Sequence, residues 1–354
     1  EVAFALGGAD GPPRFAHDRA RAVGELAGAS GRELLTAVVV GYDVMAALHS
    51  GVWPWDLPVP RPIKLIVEPF GVAATAARLL GLSREQTVLA MGHAGQAGMG
   101  IYEGSEHLWG VHPLVARGGV LAAMLARAGM PASPTIVEGK HGIYRSFFGQ
   151  DVPGSVRENV AALGTTFQVS SARTTHRYPV SAFNAIPIDL LQDLIAEHAL
   201  TPRRVVAVDL VLPEQRRSRE AAYDTMGSRR GPTWLLTFVL ADGRLDAARI
   251  EQSPGQDLLN LRNRIRVRFE GDRPFFYARV EVTTTDGGHH TAESSDRRPP
   301  EPLDRTEWLL ENGREILPQN QLTRLAELID DLDNVADVSE VMASIRPASS
   351  FPTS

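Results

Sequence analysis

The 354-residue sequence is 44% hydrophobic and 22% charged, carries a net charge of −6 and contains no cysteine. A chain of this length is large for one core and implies two domains. The absence of a basic block excludes a phosphate-tracking nucleic-acid surface. The lack of cysteine excludes disulfides, thiolate nucleophiles, iron–sulfur ligation and Cys-type zinc sites. No apolar run reaches the roughly 18 residues that span a bilayer, so no membrane partner is expected. No signal peptide is read, although the chain opens on Glu1 rather than Met, which leaves a preceding segment open. A cytoplasmic protein is the simplest reading.

In chain order, Arg19 to Ala27 is a candidate helix after a Gly/Pro-containing start. GRELLTAVVVGYDVMAALHSG, from Gly31, sets Leu34, Leu35, Val38, Val39, Tyr42 and Met45 at helical spacing. The four prolines of VWPWDLPVPRPIKL (52–65) predict a loop, with helix resuming at FGVAATAARLLGL. Ser83 and Gln86 form a capping-box pattern ahead of EQTVLAMGHAGQAGMG. WGVHPLVARGGVLAAMLARAG follows and reads as a buried helix opening on His112. Frequent Ala and Gly in these segments allow helices to approach closely.

Near residue 170 the character changes. YPVSAFNAIPIDLLQDLIAEHAL is helical, with Pro187 at its expected first position and Leu190, Leu191, Leu194 and Ile195 on one face. VVAVDLVLP (205–213), RIRVRFE (264–270) and FFYARVEVTTTDGG (275–288) alternate as strands, the last ending in a Gly-containing hairpin turn in which His289 and His290 are expected to lie exposed. Helical signals return in RTEWLLENGREIL, NQLTRLAELIDDLDNV and DVSEVMASI, which are expected to pack back on the first domain. The fold expected is therefore α+β with two domains. A large all-α domain is formed by both chain ends (1–172 and 303–346), and a smaller α+β lid domain spans 173–302.

The candidate chemistry centres on histidines. His112, one residue before Pro113, sits where free N–H groups and a helix dipole favour an anion. It can donate to a carboxylate or move a proton, or it can simply cap the helix. EGKHGIYRSF clusters Glu138, Lys140, His141, Tyr144 and Arg145, a set suited to a carboxylate, or else a solvated loop with one aromatic anchor. His176 lies beside Arg177 and Tyr178 where the helical part hands over to the insert, and such junctions favour clefts. His93 reads as a satisfied core histidine. His107 with Glu103 and Glu106 lacks a further convincing ligand, so no metal site is assigned. The glycine runs lack dinucleotide-binding spacing, and no nucleophile elbow is present.

LLTAVVVGYDV, FGVAATAARLLGLSREQTVLAMGHAGQAGMG and HPLVARGGVLAAMLARAGMPASPTIVEGKHGIYRSF, in that order, resemble the MmgE/PrpD family, which includes 2-methylcitrate dehydratase and cis-aconitate decarboxylase. HRYPVSAF resembles the family's junction, FVLADGR its strand-plus-DG region, and LRNRIRVRF a further strand. The resemblance implies a homodimer and a cleft between a helical domain and an α+β lid that binds di- or tricarboxylates. It implies general acid–base elimination without an iron–sulfur cluster, and no cofactor is expected. The family's pattern is altered here. No Asp-Asp-Thr motif lies before residue 20, and Pro62 to Lys64 replace a His-Pro-Thr. Trp109 stands where the family has lysine, while His112 matches. His176 replaces a lysine, Ser181 a histidine and Trp234 a lid tyrosine. The implied site is His112 and His176 for proton transfer, with Lys140, Arg145 or Arg177 holding a carboxylate. Trp109, Tyr178 and Trp234 line a less polar pocket. A family member that has lost catalysis and binds a ligand or partner is the alternative.

Overall fold

A computed structural model describes residues 22–49, 63–98, 108–168, 178, 180, 182–217, 220–221, 229–245, 249–250, 253–296, 306, 309–310, 313 and 317–345. The chain divides into two compact units, one holding Gly11–Thr174 together with Pro302–Ser354, the other Thr175–Glu301.

The described helices of the first unit include α1 (Gly31–His49), α2 (Ile63–Leu79), α3 (Arg84–Ala97), α4 (Leu108–Arg127), α5 (Ile143–Phe148) and α6 (Gly154–Ala161). The capping box of α3 forms as its residues require. The Ser83 hydroxyl accepts the Gln86 N–H at 3.2 Å, and the Gln86 amide oxygen accepts the Ser83 N–H at 3.0 Å. α2 begins earlier than the prolines suggest, at Ile63, and carries Pro69 inside it. Pro69 deprives the Leu65 carbonyl of its helical donor. Against this, Leu65, Ile66 and Val67 are fully buried, so burial of three large apolar side chains outweighs the missing bond.

Small residues set the spacing of these helices. A Cβ on Gly41 would lie 2.0 Å from the Thr75 hydroxyl, and one on Gly71 would lie 2.7 Å from the Gly41 carbonyl. α1 and α2 therefore cross backbone to backbone. Gly119 does the same for α4, where a Cβ would lie 2.6 Å from the Pro69 carbonyl. The core of the unit is built from Met45, Leu48, Ile66, Phe70, Tyr144 and Phe148 around the alanines of α2, α3 and α4.

α4 departs from expectation in two ways. It starts at Leu108, so His112 lies one turn inside it rather than at its mouth. Nor is it buried all round. Val115, Ala116, Ala122, Ala123 and Ala126 face the core, while Leu114 and Leu121 are about half exposed. An evenly apolar sequence hides the distinction, because the small side chains turn inward and the large ones outward.

The C-terminal segment closes this unit through α10 (Gln319–Asp330) and α11 (Ser339–Ser344). The Gly31 N–H donates to the Val335 carbonyl at 2.8 Å, and the Val338 N–H donates to the Ala29 carbonyl at 2.9 Å. Val338 packs on Leu34, with Val38 and Leu79 beside it. Gly31 is required at this seam, because a Cβ there would overlap the Leu332 carbonyl oxygen.

The second unit is a four-stranded mixed sheet with helices on it. Its elements are α7 (Ala185–His198), β1 (Val205–Pro213), α8 (Pro232–Asp242), α9 (Gln256–Arg262), β2 (Ile265–Glu270), β3 (Ala278–Thr284) and β4 (His289–Ser294). The strand order is β2-β1-β3-β4, with β1 parallel to β2 and the other pairs antiparallel. α7 lies against β3 and β4, and α8 against β2. One sheet face sends Val208, Leu210, Leu212, Val280 and Val282 into a core shared with α7 and α8. The other face is a charge ladder in which Arg279 pairs with Glu270 and Glu281, and Arg268 with Asp209 and Glu281. The Glu270 carboxylate, then that of Glu281, raises the already high pKa of Arg279.

The second unit differs from the sequence expectation at three places. FVLADGR is not a strand but the end of α8, which runs Pro232–Asp242 with Pro at its start and Gly243 in the left-handed region (φ 74°) at its end. Residues Pro232 to Leu240 are all buried, so no amphipathic period exists to announce a helix. His289 and His290 are not in the turn. They open β4 and pair with Thr283 and Val282. The turn itself is held by Asp286, whose carboxyl is drawn down to about 2 by the Thr284 hydroxyl, the Gly288 N–H and Arg204. Pro187 is the third residue of α7, not the first, a position whose N–H has no helical acceptor in any case.

Candidate functional site

Trp109 lies in the first turn of α4 and His112 in the second. The helix dipole favours an anion at the first turn and fades beyond it, so it does little for an anion at His112. His176 and Arg177 lie outside the described residues, as do Glu103, Glu106, His107 and Ser181.

The EGKHGIYRSF segment separates its residues sharply. Tyr144 is buried, and its hydroxyl donates to the Leu48 carbonyl at the end of α1. Burial pushes its phenol well above the usual tyrosine range, so it stays neutral and serves as the anchor. Phe148 packs beside it with ring centroids 5.7 Å apart. Lys140, His141 and Arg145 are exposed around this anchor. Arg145 is paired with Asp151 at 2.8 Å, while the His141 carbonyl accepts the Ser146 hydroxyl at 3.0 Å. Of the two basic residues proposed here for a carboxylate, Arg145 thus already holds one within the chain. His93 bonds the Met130 carbonyl at 3.2 Å, as a satisfied histidine should.

Tyr178 and Trp234 both belong to the core of the second unit. The Tyr178 hydroxyl donates to Asp189 Oδ1 at 2.6 Å and also meets the Gln192 amide. Trp234 stacks on Phe238 with centroids 5.7 Å apart, and the Arg262 guanidinium lies 5.2 Å from its ring centre. These contacts give both residues structural work within the unit.

A polar centre in the same unit has no signal in the sequence. Arg216 is fully buried and donates to Glu220 at 2.7 Å, to the Phe183 carbonyl at 3.1 Å and to Asn184 Oδ1 at 3.4 Å. Asn184 in turn donates to the Arg230 carbonyl at 3.2 Å. The guanidinium ties the 183–184 and 216–220 segments together, and the Asn184 amide adds Arg230 to them. An Arg–Glu pair at i,i+4 reads as surface charge in sequence, and only tertiary packing reveals it as interior.

Residues 19–155 match the model of the MmgE/PrpD N-terminal domain. The chain carries an MmgE/PrpD N-terminal domain. The match takes in α1 to α5 and enters α6. Trp109, His112, Lys140 and Arg145 all lie within the MmgE/PrpD domain, whereas His176, Arg177, Tyr178 and Trp234 follow it. The comparison with curated proteins gave no match. Among the described residues, no helix is long and apolar enough to cross a membrane.

Proposed function

We propose that the chain is a diverged MmgE/PrpD-type lyase that acts on a small carboxylate-bearing molecule by cofactor-independent acid–base chemistry. The observation that carries this reading is the MmgE/PrpD N-terminal domain over residues 19–155, with His112 kept in α4. His112 and His176 are the proposed proton donor and acceptor, since imidazole alone changes charge near neutral pH without perturbation. The reaction class is proton abstraction next to a carboxylate, followed by loss of water or carbon dioxide. Lys140 and Arg177 hold the carboxylate, and Trp109 makes the pocket less polar than a lysine would. The active form is a homodimer, and the setting is a biosynthetic pathway in the cytoplasm.

The test is turnover and solvent deuterium exchange with cis-aconitate, 2-methylcitrate and citrate, then with less charged carboxylates. His112→Ala and His176→Ala are each expected to lose about 10²- to 10⁴-fold in rate. Unchanged turnover in both variants would remove the assignment. The exchange of lysine for Trp109 favours a second reading, a ligand-binding protein without turnover. Saturable carboxylate binding with no exchange on any substrate would establish that reading instead.

A further inference from the structure

We propose that the first unit contains a separate site for a linear hydrophobic carboxylate, an alkyl chain with one anionic head. A cavity of about 400 Å³ opens between α1, α2, α3 and α6. That volume falls within the range of small-molecule pockets. Its wall is apolar, with Val44 and Leu48 from α1, Phe70 from α2 and Met91 from α3. Two lining residues are polar, Arg78 and Thr87. The Thr87 hydroxyl is already committed to the Ser83 carbonyl at 2.8 Å. The wall therefore offers nothing to the middle of a polar ligand, which would lose its hydration without replacement. An alkyl chain loses nothing by entering.

The charge sits at the edge. Arg78 is exposed in the last turn of α2, and its guanidinium makes no ion pair or hydrogen bond among the described residues. Glu33 feels its field, but that carboxylate is bonded to the Ser30 N–H and hydroxyl, each at 2.8 Å. The guanidinium fork is thus available to a carboxylate head while the chain fills the apolar interior. None of the residues proposed for proton transfer lines this cavity.

Calorimetric titration of the full chain with straight-chain saturated carboxylates of increasing length, and with the matching primary alcohols, tests the site. All ligands are kept below their micelle concentrations. Affinity is expected to rise about fourfold per added methylene and to level off once the cavity is full. Acids are expected to bind about tenfold tighter than alcohols of the same length. Arg78→Ala should remove that preference and leave the length dependence. Val160→Trp, at a lining position that is 44% exposed and so tolerant of bulk, should weaken acids and alcohols alike. Melting curves would verify that both variants are folded. Affinity independent of chain length, an acid preference that survives Arg78→Ala, or binding untouched by Val160→Trp would each overturn the proposal.

Discussion

At the scale of single residues, the sharpest consequence of the fold concerns Arg216. Its charge is fully out of water, and Glu220, Asn184 and the Phe183 carbonyl replace the hydration it gave up. Such a pair need not add net stability over an apolar equivalent, yet breaking it is costly because one charge stays behind. Arg216→Met is therefore expected to lower unfolding stability by about 3–5 kcal/mol. The double variant Arg216→Met/Glu220→Leu should recover much of that loss. Urea denaturation of the three proteins would decide this, and a double variant as unstable as the single one would argue against it. Other residues show how local sequence can suffice. Ser83 and Gln86 form their capping box because both partners lie within one turn, whereas Tyr144 gains its role only by reaching Leu48 on another helix.

Among the elements, the crossing of α1 and α2 is set by two glycines rather than by large interlocking side chains. Gly71→Ala would push a methyl group against the Gly41 carbonyl, which is backbone and cannot rotate aside. The helices would have to part, at an expected cost of about 1–3 kcal/mol. That cost outweighs the gain in helix propensity of up to about 1 kcal/mol from removing a glycine. A thermal melt that rises in Gly71→Ala would show the crossing to be looser than this. α8 and α4 illustrate how elements mislead in sequence. α8 is buried on every side and reads as a strand, while α4 reads as fully buried and keeps an exposed face. Periodicity reports the contrast between two faces, and α8 lacks that contrast, while the exposed face of α4 carries leucines beside Arg117.

For the whole molecule, the C-terminal helices belong with the first unit although the whole second unit, Thr175–Glu301, intervenes in sequence. Their hold is specific, through the Gly31–Val335 and Ala29–Val338 hydrogen bonds and the Arg32–Asp333 pair at 3.2 Å. Truncation after Glu301 removes α10 and α11 and uncovers Leu34. It is expected to lower the melting transition of the first unit by several degrees and speed proteolysis around α1, leaving hydrogen exchange in the strands of the second unit unchanged. Equal loss of protection in β1 and β3 would contradict this division of stability.

The sequence by itself determined the helical first half, the capping of α3 and the strand β1 over 205–213, because each rests on patterns local to a few turns of chain, and the kinship of residues 19–155, because the order of segments along the chain carries it. It also determined which residues are candidates for proton transfer, since only a few carry that chemistry. Tertiary structure decided the rest. It placed Tyr178 and Trp234 in a core, made a helix of Pro232–Asp242 and buried Arg216. In every one of these cases the deciding energy is burial or pairing with a residue distant in sequence, and no local pattern carries that information.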